Sequence, residues 1–171
     1  MDGCSPYVNL AMKAVTAYVT YGKTITPPPD LPLEFQERAG VFVSFKKYGE
    51  LRGCIGTIEP AHQNIAHEII KNAINAATRD PRFLAVEPDE LSLLTCSVDV
   101  LSPPEPIDDV CLLHPAKYGV IVRCGKRRGL LLPNLEGVDT VEEQIDIACR
   151  KAMIQPNEHI DLYRFEVKRY Y

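Results

Sequence analysis

Apolar residues at helical spacing open the chain. Val8, Ala11, Val15 and Tyr18 form one stripe, which predicts a helix over 5–21. Ser5 suits the cap, Pro6 the first helical position, and Gly22 the stop. The next segment, TITPPPDLP, cannot join a helix or a sheet interior, so 26–32 reads as an extended strap. Leu31, Leu33 and Phe35 are expected to pin it to the body. Residues 40–57 then read as a hairpin: GVFVSF and LRGCIGTI are extended runs and KKYGE has turn chemistry. A second helix follows, with Ile65, Ile69, Ala73, Ala76 and Ala77 on one face, and Asn64, His67, Glu68, Lys71, Asn72 and Asn75 on the other. Asp80-Pro81 halts it. In LTCSVDVLS, Leu94, Cys96, Val98 and Val100 alternate with Thr95, Ser97, Asp99 and Leu101, the pattern of a half-buried strand.

The second half repeats the plan. After a proline-rich strap at 103–106, GVIVRC and GLLLP flank the turn GKRRG. A third helix carries Val141, Ile145, Ala148 and Ala152, with capping-box spacing from Thr140 to Glu143, and IDLYRFEVKRYY alternates as a last strand. Gly40-Val41-Phe42-Val43 matches Gly119-Val120-Ile121-Val122, and Arg52-Gly53 matches Arg128-Gly129. Strand, strand, helix, strand therefore occurs twice. The expected fold is α+β, a single domain over 1–171, with two similar lobes (36–102 and 116–171) sharing mainly antiparallel sheet.

Composition narrows the function classes. Net charge is −4, with 19 basic and 23 acidic residues, which argues against a nucleic-acid binder with a pervasive basic surface. No apolar run reaches the roughly 18 residues of a membrane span, and the start, MDGCSPYV, lacks a charged-then-apolar leader. The six cysteines contain no CxxC pair, so reduced thiols in a cytoplasmic protein are expected, and no metal. His62 and His67 are five apart and share no helix face as a ligand pair would.

Chemistry concentrates in LRGCIG, residues 51–56. Alternation puts Arg52 and Cys54 on one face and Gly53 on the other. Cys54 reads either as a nucleophilic, redox or ligand-binding thiol near a guanidinium, or as a small core residue between glycines that admit a packed neighbour. Asp80-Pro81-Arg82-Phe83 reads either as a pocket wall or as a helix stop with a surface ion pair and an aromatic anchor. Arg123, Lys126, Arg127 and Arg128 form a basic cluster, at a hairpin tip where charge also prevents edge pairing.

LRGCIGTIEP, NAINAATRDPRF, SVDVLSPPEPI and KYGVIVRCGKRRGLLLP, in this order, resemble the AMMECR domain family, named after a human chromosomal region linked to Alport syndrome and elliptocytosis. The likeness covers nearly the whole chain, and LRGCIG is the family's hallmark. It implies an α+β fold of two similar lobes. For the site it implies Cys54 as the catalytic candidate, with Arg52, Gly53, Gly56, Asp80, Arg82 and Phe83 binding substrate, and Lys117 and Arg128 more weakly. No cofactor is expected. It also implies company, a Memo-like protein related to extradiol dioxygenases and a radical-SAM protein, and through them a redox or modification pathway. A small molecule or peptide would bind in a cleft between the lobes near LRGCIG; the alternative is a non-catalytic adaptor for those partners. Where relatives often read Lys-Ala-Gly after the last helix, this chain has Lys151-Ala152-Met153, which is expected to alter the turn slightly.

Overall fold

A computed structural model describes residues 5–171; Cys4, one of the six cysteines, and residues 1–3 lie outside the described residues. The first helix, α1, spans Pro6–Tyr21. The Ser5 side chain accepts from the Tyr7 N–H, and Gly22 ends the helix at φ 67, so both end signals act as predicted. Its buried face is Val8, Leu10, Ala11, Ala14 and Val15. Phe35 is buried and stacks on Tyr7, and Leu31 packs against the same core. Leu33, expected as a third pin, is 85% exposed, because it opens a 3-10 turn whose inward position is Phe35.

The chain divides into two units, Met1–Val100 with Lys168–Tyr171, and Leu101–Val167. In the first, strands β1 (Val41–Lys47) and β2 (Glu50–Gly56) form the predicted hairpin. Its two-residue turn, Tyr48-Gly49, has positive φ at both positions, which matches the twist of the flanking strands. Helix α2 (Ile65–Thr78) follows, then β3 (Leu94–Leu101) pairs antiparallel with β1. In the second unit, β5 (Gly119–Cys124) and β6 (Arg127–Leu131) form a hairpin, α3 (Val141–Lys151) follows, and β7 (Asp161–Phe165) pairs antiparallel with β5.

Each unit owns its sheet. The orders are β2-β1-β3-β8 and β4-β7-β5-β6, where β4 is Glu105–Ile107 and β8 is Val167–Tyr170. The expected shared sheet is therefore two separate ones, and the expected single last strand breaks at Glu166 into β7 and β8. The segment after β3 joins the sheet of β7, and the segment after β7 joins the sheet of β3. The second proline strap contributes here: Pro106 sits in β4, at a sheet edge where a missing N–H is tolerated.

The duplication is visible in contacts that no letter match reveals. A Cβ on Gly53 would lie 2.0 Å from the Ala76 carbonyl oxygen of α2, and one on Gly129 would lie 2.0 Å from the Ala148 oxygen of α3. These two glycines let each helix lie on its hairpin. Gly53 pairs with Phe45 and Gly129 with Val122, so Phe45 and Val122 are equivalent positions. The GVFV/GVIV match is thus two residues out of register, a slip that keeps the same faces inward. Equivalence extends to polar groups: Asn72 of α2 donates to the Val41 carbonyl at 2.9 Å, and Gln144 of α3 donates to the Tyr118 carbonyl at 2.8 Å.

Asn64, Glu68 and Asn72, placed on the polar side of the second helix, are all buried. At i, i+4, i+8 they form a second inward stripe. The Glu68 carboxylate accepts from the Thr57 hydroxyl at 2.9 Å, from the His62 N–H at 2.6 Å and from the Ala61 N–H. A buried carboxylate needs such donors, and here they come from the loop that leaves LRGCIG. In β3, Asp99 is likewise buried rather than solvated, bound at 2.7 Å by both the Nε and an Nη of Arg169.

Candidate functional site

LRGCIG lies in β2, the edge strand of its sheet. Because Gly53 faces α2, Arg52 and Cys54 project from the opposite face, as alternation requires. On that face Cys54 stands beside Ser44 of β1, and Ser44 beside Ser97 of β3. All three side chains are half-buried, and the Ser44 hydroxyl donates to the Cys54 sulfur at 3.0 Å. Two residue pairs further along, on the same face, the Phe42 ring covers Gly56 so closely that a Cβ there would lie 2.2 Å from it.

Asp80 and Arg82 close the free edge of β2. Asp80 Oδ2 accepts from the Cys54 N–H at 2.9 Å and from Arg82 Nη2 at 2.8 Å; Oδ1 accepts from the Arg82 N–H at 3.1 Å and Nε at 3.0 Å. Arg82 Nη2 also reaches the Cys54 carbonyl at 3.5 Å. The two side chains thereby occupy the N–H and C=O that a further strand would bind. Asp80 is buried, not half of a surface pair. The Arg82 hydrogen bonds, with the Cys54 N–H helping, hold its carboxyl well below the usual carboxylate range against the opposing cost of burial. Arg82 itself is 57% exposed and lies 5.5 Å from the centre of the Phe83 ring.

Arg52 is engaged elsewhere. Its Nε and Nη2 donate to the two oxygens of Glu90 at 3.0 and 2.9 Å, and Nη1 donates to the Leu84 carbonyl at 2.9 Å. Lys47 adds a bond to Glu90 at 2.8 Å, and the pull of Arg52, then Lys47, lowers the Glu90 carboxyl to about 2. Arg52 therefore ties loop 84–90 to the hairpin, and the guanidinium that reaches the Cys54 backbone belongs to Arg82. Sequence reading missed Ser44, Ser97 and Glu90. Ser44 had left a signal, as the one polar residue in the run VFVSF.

The first unit thus gathers Arg52, Gly53, Cys54, Gly56, Asp80, Arg82 and Phe83. Lys117 and Arg128 lie in the second unit. Lys117 is 3.8 Å from Glu166 and 4.8 Å from the Tyr118 ring, and Arg128 is exposed on β6. In the basic cluster, Arg123 pairs with Asp161 at 3.2 Å and Arg127 with Glu158. The His67 ring nitrogen Nδ1 lies 2.7 Å from the Asn64 side-chain oxygen. Among the described residues no group of three or more His, Cys, Asp or Glu could hold a metal ion, and no helix is long and apolar enough to cross a membrane.

The family model AMMECR1 matches residues 8–170. The chain belongs to this family. It is 55% identical to a Thermotoga maritima protein, over 99% of both chains. To a Clostridium acetobutylicum protein it is 53% identical over 96% of its own length, and it spans 36% of that longer protein. The crystal structure of an uncharacterized protein from Pyrococcus horikoshii matches with a TM-score of 0.87 at 36% identity, covering 95% of this chain and 88% of that one. The hallmark thus sits in an AMMECR1 domain, on a half-buried face lined by a thiol and two hydroxyls.

Proposed function

We propose that this AMMECR1 domain binds a small molecule or peptide on the face that carries Cys54, with the thiol touching the ligand, as one component of a redox or modification pathway. The observation that carries this reading is the row Cys54–Ser44–Ser97: small polar groups on a half-buried sheet face where packing alone would favour apolar ones. The Ser44 hydroxyl orients the sulfur, and the exposed guanidinium of Arg82 stands ready for an anionic group. Gly53 and Gly56 shape the strand, while Asp80 and Arg52 hold its edge and its flanking loop. Phe83 supports the Arg82 head. Lys117 and Arg128 are weaker ligand-binding candidates within the second unit.

The test is alkylation of the folded protein with iodoacetamide, followed thiol by thiol by mass spectrometry. Exposed Cys111 serves as the internal reference. Cys54 should be modified, and small molecules retained from a cell extract should slow its modification selectively. A Cys54 that stays unmodified while Cys111 reacts fully would sink the reading.

A second reading, a non-catalytic adaptor for a Memo-like or radical-SAM partner, draws support from the Clostridium relative, where the similar region is a minor part of a longer chain. On this reading Cys54→Ala leaves affinity for a purified Memo-like protein nearly unchanged, whereas Arg52→Ala, which frees loop 84–90, weakens it. Calorimetric titration of the two variants separates the readings.

A further inference from the structure

The second unit contains a cavity that LRGCIG does not explain. It has a volume of about 630 Å³, within the range of small-molecule sites. Its walls are the outer side of α3 and the segment that follows, with Ile145, Cys149, Met153, Ile154, Pro156 and Ile160 supplying an apolar lining. Ile154 is 4% exposed and belongs to the core of the unit, so the floor is fixed by the fold.

The lip is Met153. It is 76% exposed and sits at φ 54, a backbone region that favours glycine. The turn nevertheless closes with both expected hydrogen bonds, Met153 N–H to the Arg150 carbonyl at 3.1 Å and Ile154 N–H to the Cys149 carbonyl at 2.9 Å. Met153 thus does not open the turn. It places a flexible thioether at the cavity mouth instead, a side chain suited to varied apolar surfaces.

Charge gives the cavity a sign. Glu142, Asp146 and Glu158 line it against one cation, Arg150. Asp146 pairs with Arg150 at 2.9 Å, and Glu158 pairs with Arg127 from β6. Among the described residues Glu142 has no such ion pair, and it gives the lining a negative excess. We infer that this cavity binds a small molecule with an apolar body and a protonated amine, the body against Ile145, Cys149 and Ile160 and the amine toward Glu142. None of its lining residues belongs to the site proposed around Cys54.

Fluorescence titration of the full chain with a dansyl-tagged alkylamine, set against a dansyl-tagged alkylcarboxylate of equal length, tests this. The amine should bind saturably in the micromolar range, at least fivefold tighter than the carboxylate, and should slow maleimide modification of Cys149 at least fivefold. Cys149→Phe, which puts an aromatic ring on the cavity wall where the body would lie, should weaken binding at least fivefold. Exposed Glu142→Lys, which spares the core, should remove the preference for the amine. Cys54→Ala should change neither result, so failure here is distinct from failure at LRGCIG. Absence of saturation, binding that leaves Cys149 unprotected, or a preference unmoved by Glu142→Lys would each overturn the inference.

Discussion

The buried Asp80 carboxylate accepts the backbone N–H of Cys54 at 2.9 Å, so a residue just past the end of α2 seals the strand carrying LRGCIG. Two segments that look independent in sequence are one structural object. Asp80→Ala would leave the Cys54 N–H without its partner and Arg82 without its counter-ion. A loss of about 3 kcal/mol is expected, read from the urea midpoint. Asp80→Asn keeps one acceptor oxygen and should cost less. Equal losses for the two variants would mean that the hydrogen bond to Cys54 is not what matters.

The two helix-facing glycines should behave alike. Gly53→Ala and Gly129→Ala each push a methyl group against a backbone carbonyl that no side-chain rotation can relieve. Each should cost about 2–3 kcal/mol or more. Gly125→Ala meets open space at φ 59, and should cost only about 1 kcal/mol through its backbone conformation. Thermal melts of the three variants would check the order.

Glu68 makes a sharper local prediction. Glu68→Ala strands the Thr57 hydroxyl and the N–H groups of Ala61 and His62, at a cost of about 3 kcal/mol or more. Hydrogen exchange at Ala61 and His62 should accelerate before that of the strands. Uniform acceleration across the chain would show that the carboxylate has no special hold on this loop.

Acid should destabilise the first unit through Asp80 and Glu90. Both carboxyls are held below their ordinary values, Glu90 at about 2. Such groups contribute stability that is complete above the unfolded value, about 4, and is lost as pH falls toward the folded one. The urea midpoint should therefore be flat above about pH 5 and fall below about pH 4. Glu90→Gln should lower the plateau and flatten the acid limb. An unchanged limb would remove Glu90 from the account.

Met153→Gly should stabilise the chain by about 1 kcal/mol, since glycine adopts the left-handed conformation without strain. A differential scanning measurement reads it directly.

Local chemistry was enough to locate α1, both hairpins and the outward face of Cys54, because caps, turns and alternation depend on neighbours in the chain. The sequence by itself also carried the family hallmark and the duplication, through Arg52-Gly53 and Arg128-Gly129. Only the tertiary structure decided the rest. Glu68, Asn72 and Asp99 read as surface residues because hydrophobic pattern is blind to a polar group whose donors come from elsewhere in the chain; their burial depends on Thr57, His62, Val41 and Arg169. The break at Glu166 and the two sheets depend on strand pairing across long separations, which alternation does not encode. Arg52 was legible as a neighbour of Cys54, yet its partner is Glu90, thirty-eight residues away, and the guanidinium at the Cys54 backbone is that of Arg82. Periodicity fixes which way a side chain points; only packing fixes what it meets.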